Sequence, residues 1–352
     1  MPIKASMLLL IAGLLAGGCR EDPPQPEVDA GVHPPVPAAR LVGWGDATAR
    51  HAVDEAPLLL GADSETLALA ERLTAALGRT DPSLEIRAVR LVPDGRPGAG
   101  PDTANQYPKL RLGTVPTEQA ARERSDTRRT QLPIARGALT VVVHPDNPLA
   151  ERGLTLAELR RIFSARAESM DEVEFWGDLG VAGEWTQNPV VRYGHRPGSS
   201  LHAYLKEEVL AGAPFKSDLT QLADSVAIVQ AVAADPNAIG YADLPSTGNR
   251  VAAVPIAERR GLDPIAPTAE AVAAGTYPLL PLVHVQLHEG ATPWQRAEIA
   301  ALLDFIYGEH GQAIVAASGY QPLPQHLIAE IRARLGLTPN RTQPTQTTEA
   351  NP

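Results

Sequence analysis

The sequence predicts an α/β fold with largely parallel sheets, because segments with strand and helix patterns alternate along the chain. The clearest strand, residues 138–144 (ALTVVVH), is a continuous β-branched run of the kind that is covered on both faces. Apolar stripes at helical spacing follow the strand candidates, first in residues 64–77. The chain has 352 residues, of which 44% are hydrophobic and 20% charged, so two compact domains are expected.

The first half of the chain gives these elements in order. Residues 57–60 are apolar and predict a strand, and residues 64–77 carry a leucine and alanine stripe that predicts a helix. Residues 84–91 alternate as a half-buried strand does. After the strand 138–144, apolar positions spaced by three and four predict a helix over 156–163.

The second half continues the alternation. A strand is predicted to end at residues 189–191, followed by a turn and a helix. The remaining predicted elements are a helix over 226–234, strands over 238–241 and 279–287, and helices over 294–307 and 311–317.

The N-terminal segment has the features of an export signal. Lys4 supplies positive charge, residues 7–15 are apolar but short for a bilayer span, and small residues then lead into Cys19, the single cysteine. A cysteine at this point resembles a bacterial lipoprotein processing site, although Ala16 stands where the usual box has leucine. An acylated Cys19 would anchor the protein to a membrane. The alternative is a secreted protein with an incidental cysteine, and in either case no intrachain disulfide is possible.

Two further segments lie outside the predicted folded body. Residues 20–56 are rich in proline and predict an extended tether. Residues 338–352 lack apolar periodicity and predict a disordered tail. The formal net charge of −10 argues against a nucleic-acid partner, which would require a basic stripe. No cofactor and no metal is expected.

Residues 192–210 (RYGHRPGSSLHAYLKEEVL) carry the strongest functional signal. They join a strand end to a helix through a turn of glycine, proline and serine. Such a junction directs unpaired backbone N–H groups and the positive end of a helix dipole to one point, which suits an anion. Ser199 and Ser200 add hydroxyl donors, and His195 and Arg196 add positive charge. The alternative is an ordinary N-capped helix.

Four blocks in order carry a family resemblance. The first, residues 133–180, has an Asn147-Pro148 turn, a Leu-Thr-led helix ending in Ile-Phe, and Trp176 before a short loop. The second contains the loop just described, the third is residues 224–244, and the fourth is residues 302–324. Together these blocks resemble the phosphate-binding proteins of bacterial phosphate ABC transporters, across residues 57–330.

This resemblance implies a type II periplasmic-binding-protein fold, in which two lobes close on a solute. Each lobe would be a mixed, mostly parallel sheet flanked by helices. Lobe 1 would comprise residues 57–142 and 280–337, and lobe 2 residues 143–279. The protein would be an exported, lipid-anchored monomer in the periplasm or at the cell surface, without catalysis of its own. It would capture inorganic phosphate or a related oxyanion in the interlobe cleft for an ABC permease.

The resemblance also implies two ligand loops. The first comprises residues 61–66, and its candidate ligand residues are Asp63, Ser64, Glu65 and Thr66. Counting back from the following helix places Glu65 at the threonine of the family, and a shift of one residue would place Thr66 there. The candidates in the second loop are His195, Arg196, Gly198, Ser199 and Ser200. A third loop is expected near residues 110–117, without assigned ligand residues.

The second loop departs from the family pattern in its chemistry. His195 stands at the family's arginine, Ser200 at its glycine and Leu201 at its threonine. A histidine offers the ligand at most one donor, and leucine offers none. Glu65 in the first loop would repel a dianion unless it accepts the proton of hydrogen phosphate. Each lost charge-assisted hydrogen bond costs about 1.5–3 kcal/mol, so these changes weaken oxyanion binding.

The sequence also permits three other interpretations. A hydrolase would use His195 with Ser199 or Ser200 and orient the histidine with Asp63, but the loop lacks the second glycine of a nucleophile elbow. His284 and His288 could share one strand face as a metal pair, without a third ligand nearby. A lipid-anchored interaction protein with a degenerate cleft could bind another ligand or a protein partner.

Overall fold

The structure is a computed structural model that describes residues 57–91, 108–115, 129–165, 172–288, 291 and 293–337. The predicted signal segment with Cys19, the tether over 20–56 and the tail over 338–352 lie outside the described residues. In the described part, helices flank two main sheets, and the α/β prediction is confirmed. No described helix is both long enough and apolar enough to cross a bilayer.

The first sheet has the spatial order β13, β4, β12, β3, β1, β2. Its strands are β1 (Leu58–Ala62), β2 (Ile86–Arg90), β3 (Leu110–Val115), β4 (Arg129–Arg136), β12 (Leu282–His288) and β13 (Gln321–Pro322). Strand β1 pairs in parallel with β2 and β3, whereas β12 runs antiparallel to both of its neighbours. The helices that contribute to its core are α1 (Leu67–Thr80), α8 (Pro293–Ile306), α9 (Glu309–Ala317) and α10 (Gln325–Leu335).

The second sheet has the spatial order β10, β5, β9, β7, β8. Its strands are β5 (Leu139–Val143), β7 (Val191–His195), β8 (Thr220–Leu222), β9 (Ala238–Asp243) and β10 (Ala252–Ala253), and a small separate sheet pairs β6 (Leu154–Thr155) with β11 (Ile256–Ala257). Strand β7 is parallel to both neighbours, and β5 is antiparallel to β9.

Helices in the part of the chain between residues 149 and 274 belong with the second sheet. They are α2 (Leu149–Arg152), α3 (Leu156–Phe163), α4 (Ser200–Tyr204), α5 (Ser225–Ala234), α6 (Leu244–Thr247) and α7 (Ala269–Ala274). Two 3₁₀ helices (Trp176–Leu179 and Gly183–Gln187) precede β7, and a π-helical stretch, Leu205–Val209, continues α4.

The two sheets have separate hydrophobic cores. Residues 58–135 and 283–335 supply the first core, and residues 138–279 supply the second. The chain passes from the first sheet to the second between Arg136 and Leu139, and it returns between Leu279 and Leu282. The predicted lobe boundaries at 142 and 280 stay a prediction.

Two differences between the observed and the predicted elements bear on the arrangement of the site. The first helix begins at Leu67 instead of residue 64, because residues 63–66 form a turn. The sheets are mixed as predicted, with more antiparallel pairing than predicted, because β12 enters the first sheet between two strands that it opposes. The parallel strands β1 and β7 each end at one of the two predicted ligand loops.

Candidate functional site

The first predicted loop is a tight turn between β1 and α1. One oxygen of Asp63, Oδ1, accepts hydrogen bonds from the backbone N–H of Thr66 at 3.0 Å and from its hydroxyl at 2.6 Å. The hydroxyl of Tyr320 donates to the carbonyl of Glu65 at 2.9 Å. Asp63, Glu65 and Thr66 are all buried. The turn is therefore fixed from inside by Asp63 and from the C-terminal part of the chain by Tyr320.

The second predicted loop follows β7, whose last residue is His195. The His195 side chain is fully buried, and its backbone N–H donates to the hydroxyl of Tyr241 at 3.2 Å. Ser199 caps α4, since its hydroxyl accepts from the N–H of His202 at 3.5 Å, so the helix predicted after the turn is present. The ring Nδ1 of His202 lies 2.9 Å from the carbonyl oxygen of His195, which ties α4 back to β7.

The two loops face each other across the junction of the two sheets. Ser199 Oγ donates to Glu65 Oε1 at 3.2 Å, and Ser200 Oγ donates to Asp63 Oδ2. His195 Nδ1 lies 2.8 Å from Glu65 Oε1, the distance of an ion pair, although the Nδ1–H does not point along the line to that oxygen. Five candidate residues from distant parts of the sequence therefore meet at one buried point: Asp63 and Glu65 on one side, and His195, Ser199 and Ser200 on the other.

Strand β3 approaches the same point. The prediction of a third loop near residues 110–117 is wrong for residues 110–115, which pair as β3 between β1 and β12, and residues 116–117 lie outside the described residues. The carbonyl of Leu112 lies 3.1 Å from the hydroxyl of Thr66. A Cβ added at Gly113 would lie 3.0 Å from Ser200 Oγ and 3.3 Å from Asp63 Oδ2. Glycine at this position thus permits Ser200, which belongs to α4, to reach the first sheet.

His195 has a second partner at the start of α5. Its Nε2 lies 3.3 Å from the hydroxyl of Ser225, and that hydroxyl accepts from the backbone N–H of Asp243 at 3.1 Å. His195 thus lies between Glu65 on one ring nitrogen and Ser225 on the other. Within the described residues, Oε2 of Glu65 and Oδ1 of Asp243 are buried without a hydrogen-bond partner.

The carboxylates of the site have different proton affinities. Burial, and then the negative charge of Glu65, raise the pKa of Asp63 to about 6, against the lowering effect of its hydrogen bonds. Burial also opposes ionisation of Glu65, but the close contact with the His195 imidazole outweighs it and holds the pKa of Glu65 below its usual value. Burial raises the pKa of Asp243. Glu65 is therefore the carboxylate that carries negative charge most readily.

The other candidate residues lie at the edge of this cluster. Ser64 is partly buried, and its hydroxyl lies 3.0 Å from Glu65 Oε1 and 3.4 Å from the carbonyl of Ala223. Arg196 and Gly198 are exposed, so the structure does not bring them to the point where the loops meet. Leu201, at the position of the family's threonine, is buried in the core of the second sheet.

Four residues at the junction were not predicted as part of the site: Gly113, Ser225, Asp243 and Tyr320. Ser225 and Asp243 lie in the third resembling block and Tyr320 in the fourth, where the sequence indicated packing and capping only. Strand β9 is two residues longer than predicted, and Asp243 is its last residue. An acidic residue at the carboxyl end of a predicted parallel strand was the available signal, since that edge of a sheet is where ligands bind.

The contacts in the structure argue against the hydrolase and metal-pair interpretations. In the hydrolase interpretation Asp63 orients His195, but Asp63 contacts Thr66 and Ser200, and Glu65 is the carboxylate at the ring. The serine at the second ring nitrogen is Ser225, which is 2% exposed and accepts a backbone hydrogen bond. His284 is buried in β12, and no group of three or more potential metal ligands occurs among the residues that the structure describes.

Comparisons with known proteins identify similar chains. Residues 114–310 match the model of the PBP superfamily domain. The phosphate-binding protein PstS of Pseudomonas aeruginosa is 31% identical over 237 residues, which cover 67% of this chain and 73% of that protein. The protein SphX of Synechococcus elongatus is 28% identical over 59% of this chain and 60% of its own length.

Solved structures show the same fold at low sequence identity. An ABC-type phosphate transport receptor from Vibrio cholerae superposes with a TM-score of 0.56 at 14% identity, covering 76% of this chain and all of that one. A structure from Clostridium perfringens that contains bound phosphate gives a TM-score of 0.57 at 19% identity, with the same coverage. These likenesses confirm the predicted two-lobed fold.

Proposed function

Because the chain belongs to the phosphate-binding proteins of the PBP superfamily, we propose that it captures inorganic phosphate or a related oxyanion between its lobes for an ABC permease. The observation that carries this proposal is the convergence of the two loops, with Ser199, Ser200 and His195 directed at the loop of residues 63–66. Hydroxyl and imidazole groups at a buried point between two sheets are donors suited to an anion. The role is binding without catalysis, as the names of the relatives support.

The same proposal includes export and lipid anchoring. A short apolar segment that ends at the single cysteine, Cys19, supports both. The tether over 20–56 would hold the folded body away from the membrane surface. Mass spectrometry of the N-terminal peptide from membrane-purified protein should show an acylated Cys19 at the new N-terminus, and an unmodified cysteine inside an intact leader would refute the anchor.

Calorimetric titration of the purified protein with phosphate, arsenate, sulfate and molybdate tests the ligand. We expect heat of binding for phosphate and arsenate at one site, because both are tetrahedral oxyanions that retain protons near neutral pH. Phosphate at a hundred times its dissociation constant should raise the free energy of unfolding by about 2.7 kcal/mol. No binding and no stabilisation by any of the four anions would refute the proposal.

A valine at Gly113 should weaken this capture. Its Cβ would already lie 3.0 Å from Ser200 Oγ, so the two further methyl groups must push the lobes apart. Overpacking costs about 1–3 kcal/mol, which corresponds to a loss of about ten- to a hundredfold in phosphate affinity. Gly78→Ala is the matched control, because a Cβ there would meet nothing within 4 Å. Equal affinities in the two variants would show that capture does not need this closure.

The two buried carboxylates favour a second candidate function. Asp63 and Glu65 lie where an anion would approach, and a buried like charge opposes oxyanion binding. We therefore keep the alternative of a lipid-anchored binding or interaction protein with a degenerate cleft that takes another ligand or a protein partner. Titration separates the two candidates, since this alternative predicts no stabilisation by phosphate at any pH between 5 and 8.

A further inference from the structure

The serine and histidine side chains of the second loop, which were predicted to hold the solute, already contact carboxylates of the first loop. Asp63 receives hydrogen bonds from Thr66 and Ser200. A single oxygen of Glu65, Oε1, is approached by three groups: Ser64 at 3.0 Å, Ser199 at 3.2 Å and His195 at 2.8 Å. Two of these three, His195 and Ser199, come from the end of β7 and the loop that follows it. The arrangement around Oε1 is that of an anion site whose anion is a side chain.

The position of Glu65 is specified from several directions. Its side chain is 2% exposed, and Tyr320 fixes its backbone through the bond to its carbonyl. Its other oxygen, Oε2, is buried without a partner among the described residues. Burying an unpaired carboxylate oxygen costs free energy, and the protein tolerates it where the first oxygen is bound by His195 and the serines. The carboxylate is thus inside the site instead of turned towards solvent.

We propose that Glu65 is a tethered anion, which occupies the oxyanion position and holds the two lobes together through His195 and Ser199. This inference rests on the proposed function. A side chain that is part of the first loop is present at a high effective concentration, so a free oxyanion must displace it to reach the same donors. The apparent affinity for the solute is then lowered by the fraction of molecules in which Glu65 occupies the site.

The consequence is that Glu65 sets the solute concentration above which binding occurs. With Glu65 in place, the protein closes on its own carboxylate, and only a solute at high concentration competes. Neutralising Glu65 leaves His195, Ser199 and Ser64 as donors and removes the competitor, so solute affinity rises. A residue that merely supported the loop would give the opposite result, because loss of support disorders the donors and lowers affinity.

The test compares Glu65→Gln and Glu65→Ala with the full-length protein in a Cys19→Ser background. Spin labels at the exposed positions Ala75 and Ala234 report the distance between the lobes without added anion. We expect one short distance with Glu65 present and a longer, broader distribution in both variants. Titration with inorganic phosphate should show about ten- to a hundredfold tighter binding by Glu65→Gln.

Glu71→Gln is the matched control, because Glu71 is exposed on α1 and its replacement changes the net charge by the same amount. It should leave both the distance and the affinity unchanged. Unaltered distances in both Glu65 variants, or weaker phosphate binding by Glu65→Gln, would overturn the proposal. Absence of phosphate binding in every variant would refute the proposed function, and the distances alone would then decide whether Glu65 holds the lobes together.

Discussion

Replacing Asp63 with asparagine should stabilise the protein by about 3 kcal/mol at pH 7 and reduce the fall in stability between pH 4 and 7. Burial and the charge of Glu65 raise the pKa of Asp63 from 3.8 to about 6. Over that interval the native protein binds a proton that the unfolded chain has released, so stability falls as pH rises through it. Asparagine is never ionised, and its amide oxygen can accept the hydrogen bonds of Thr66 as Oδ1 does.

Urea unfolding at pH values from 5 to 7.5 measures this effect while avoiding most of the titration of Glu65. The pKa of Glu65 is lowered, so the stability that it contributes is lost only as pH falls below about 4.5. Asp243, whose pKa is also raised by burial, should leave a residual slope of the same sign in Asp63→Asn. Asp263→Asn, an exposed substitution, serves as the control. A parallel pH profile in Asp63→Asn and the parent protein would contradict the assignment.

The sequence predicted the helices and strands whose apolar residues follow one clear periodicity. The buried strand β5, the helices α3 and α5 and the helices α8 and α9 were each placed to within two residues. Strand β4 was missed, because Pro133 in its middle argues against a central strand. The structure accommodates that proline beside a β-bulge in β4 itself, where Ile134 is an extra residue between the partners of Val283 and His284 in β12. A β-bulge depends on how a strand pairs with its neighbour, so it cannot be recognised from the sequence of one strand.

The parts of the site that depend on local sequence could be predicted, whereas the contacts between residues distant in the sequence could not. The turn residues of both loops could be identified because glycine, serine and aspartate cluster before a helix. The pairing of Glu65 with His195 could not be predicted, because the two residues are 130 positions apart in the sequence and meet only when both sheets form. Sequence alone also did not decide whether Glu65 or Thr66 occupies the position of the family's threonine in the first loop. In the structure Glu65 faces the second loop, while Thr66 hydrogen-bonds within the first sheet.

Replacing Arg192 with methionine should destabilise the protein by about 3–5 kcal/mol. Arg192 lies in β7, three residues before His195, and is 2% exposed. Its Nε donates to the carbonyl of Ile162 at 2.6 Å, its Nη1 to Val190 at 2.9 Å, and its Nη2 to Val173. Methionine fills similar space but removes the donor to Ile162 and Val190, whereas Val173 keeps Lys216 Nζ at 3.3 Å. Each unsatisfied buried acceptor costs about 1–3 kcal/mol.

Matched substitutions separate the hydrogen bonds of Arg192 from its charge. The bond to Asp218 is short, at 2.6 Å, but the Asp218 side chain is 57% exposed, so Asp218→Asn should cost less than about 1 kcal/mol. Arg192→Lys keeps the charge and loses the planar fork, so its loss should approach that of methionine. Arg196→Met, which removes an exposed cation nearby, should stay within about 0.5 kcal/mol of the parent protein. If lysine restored full stability in urea unfolding, charge rather than the three carbonyl contacts would be what Arg192 contributes to the strand that presents His195.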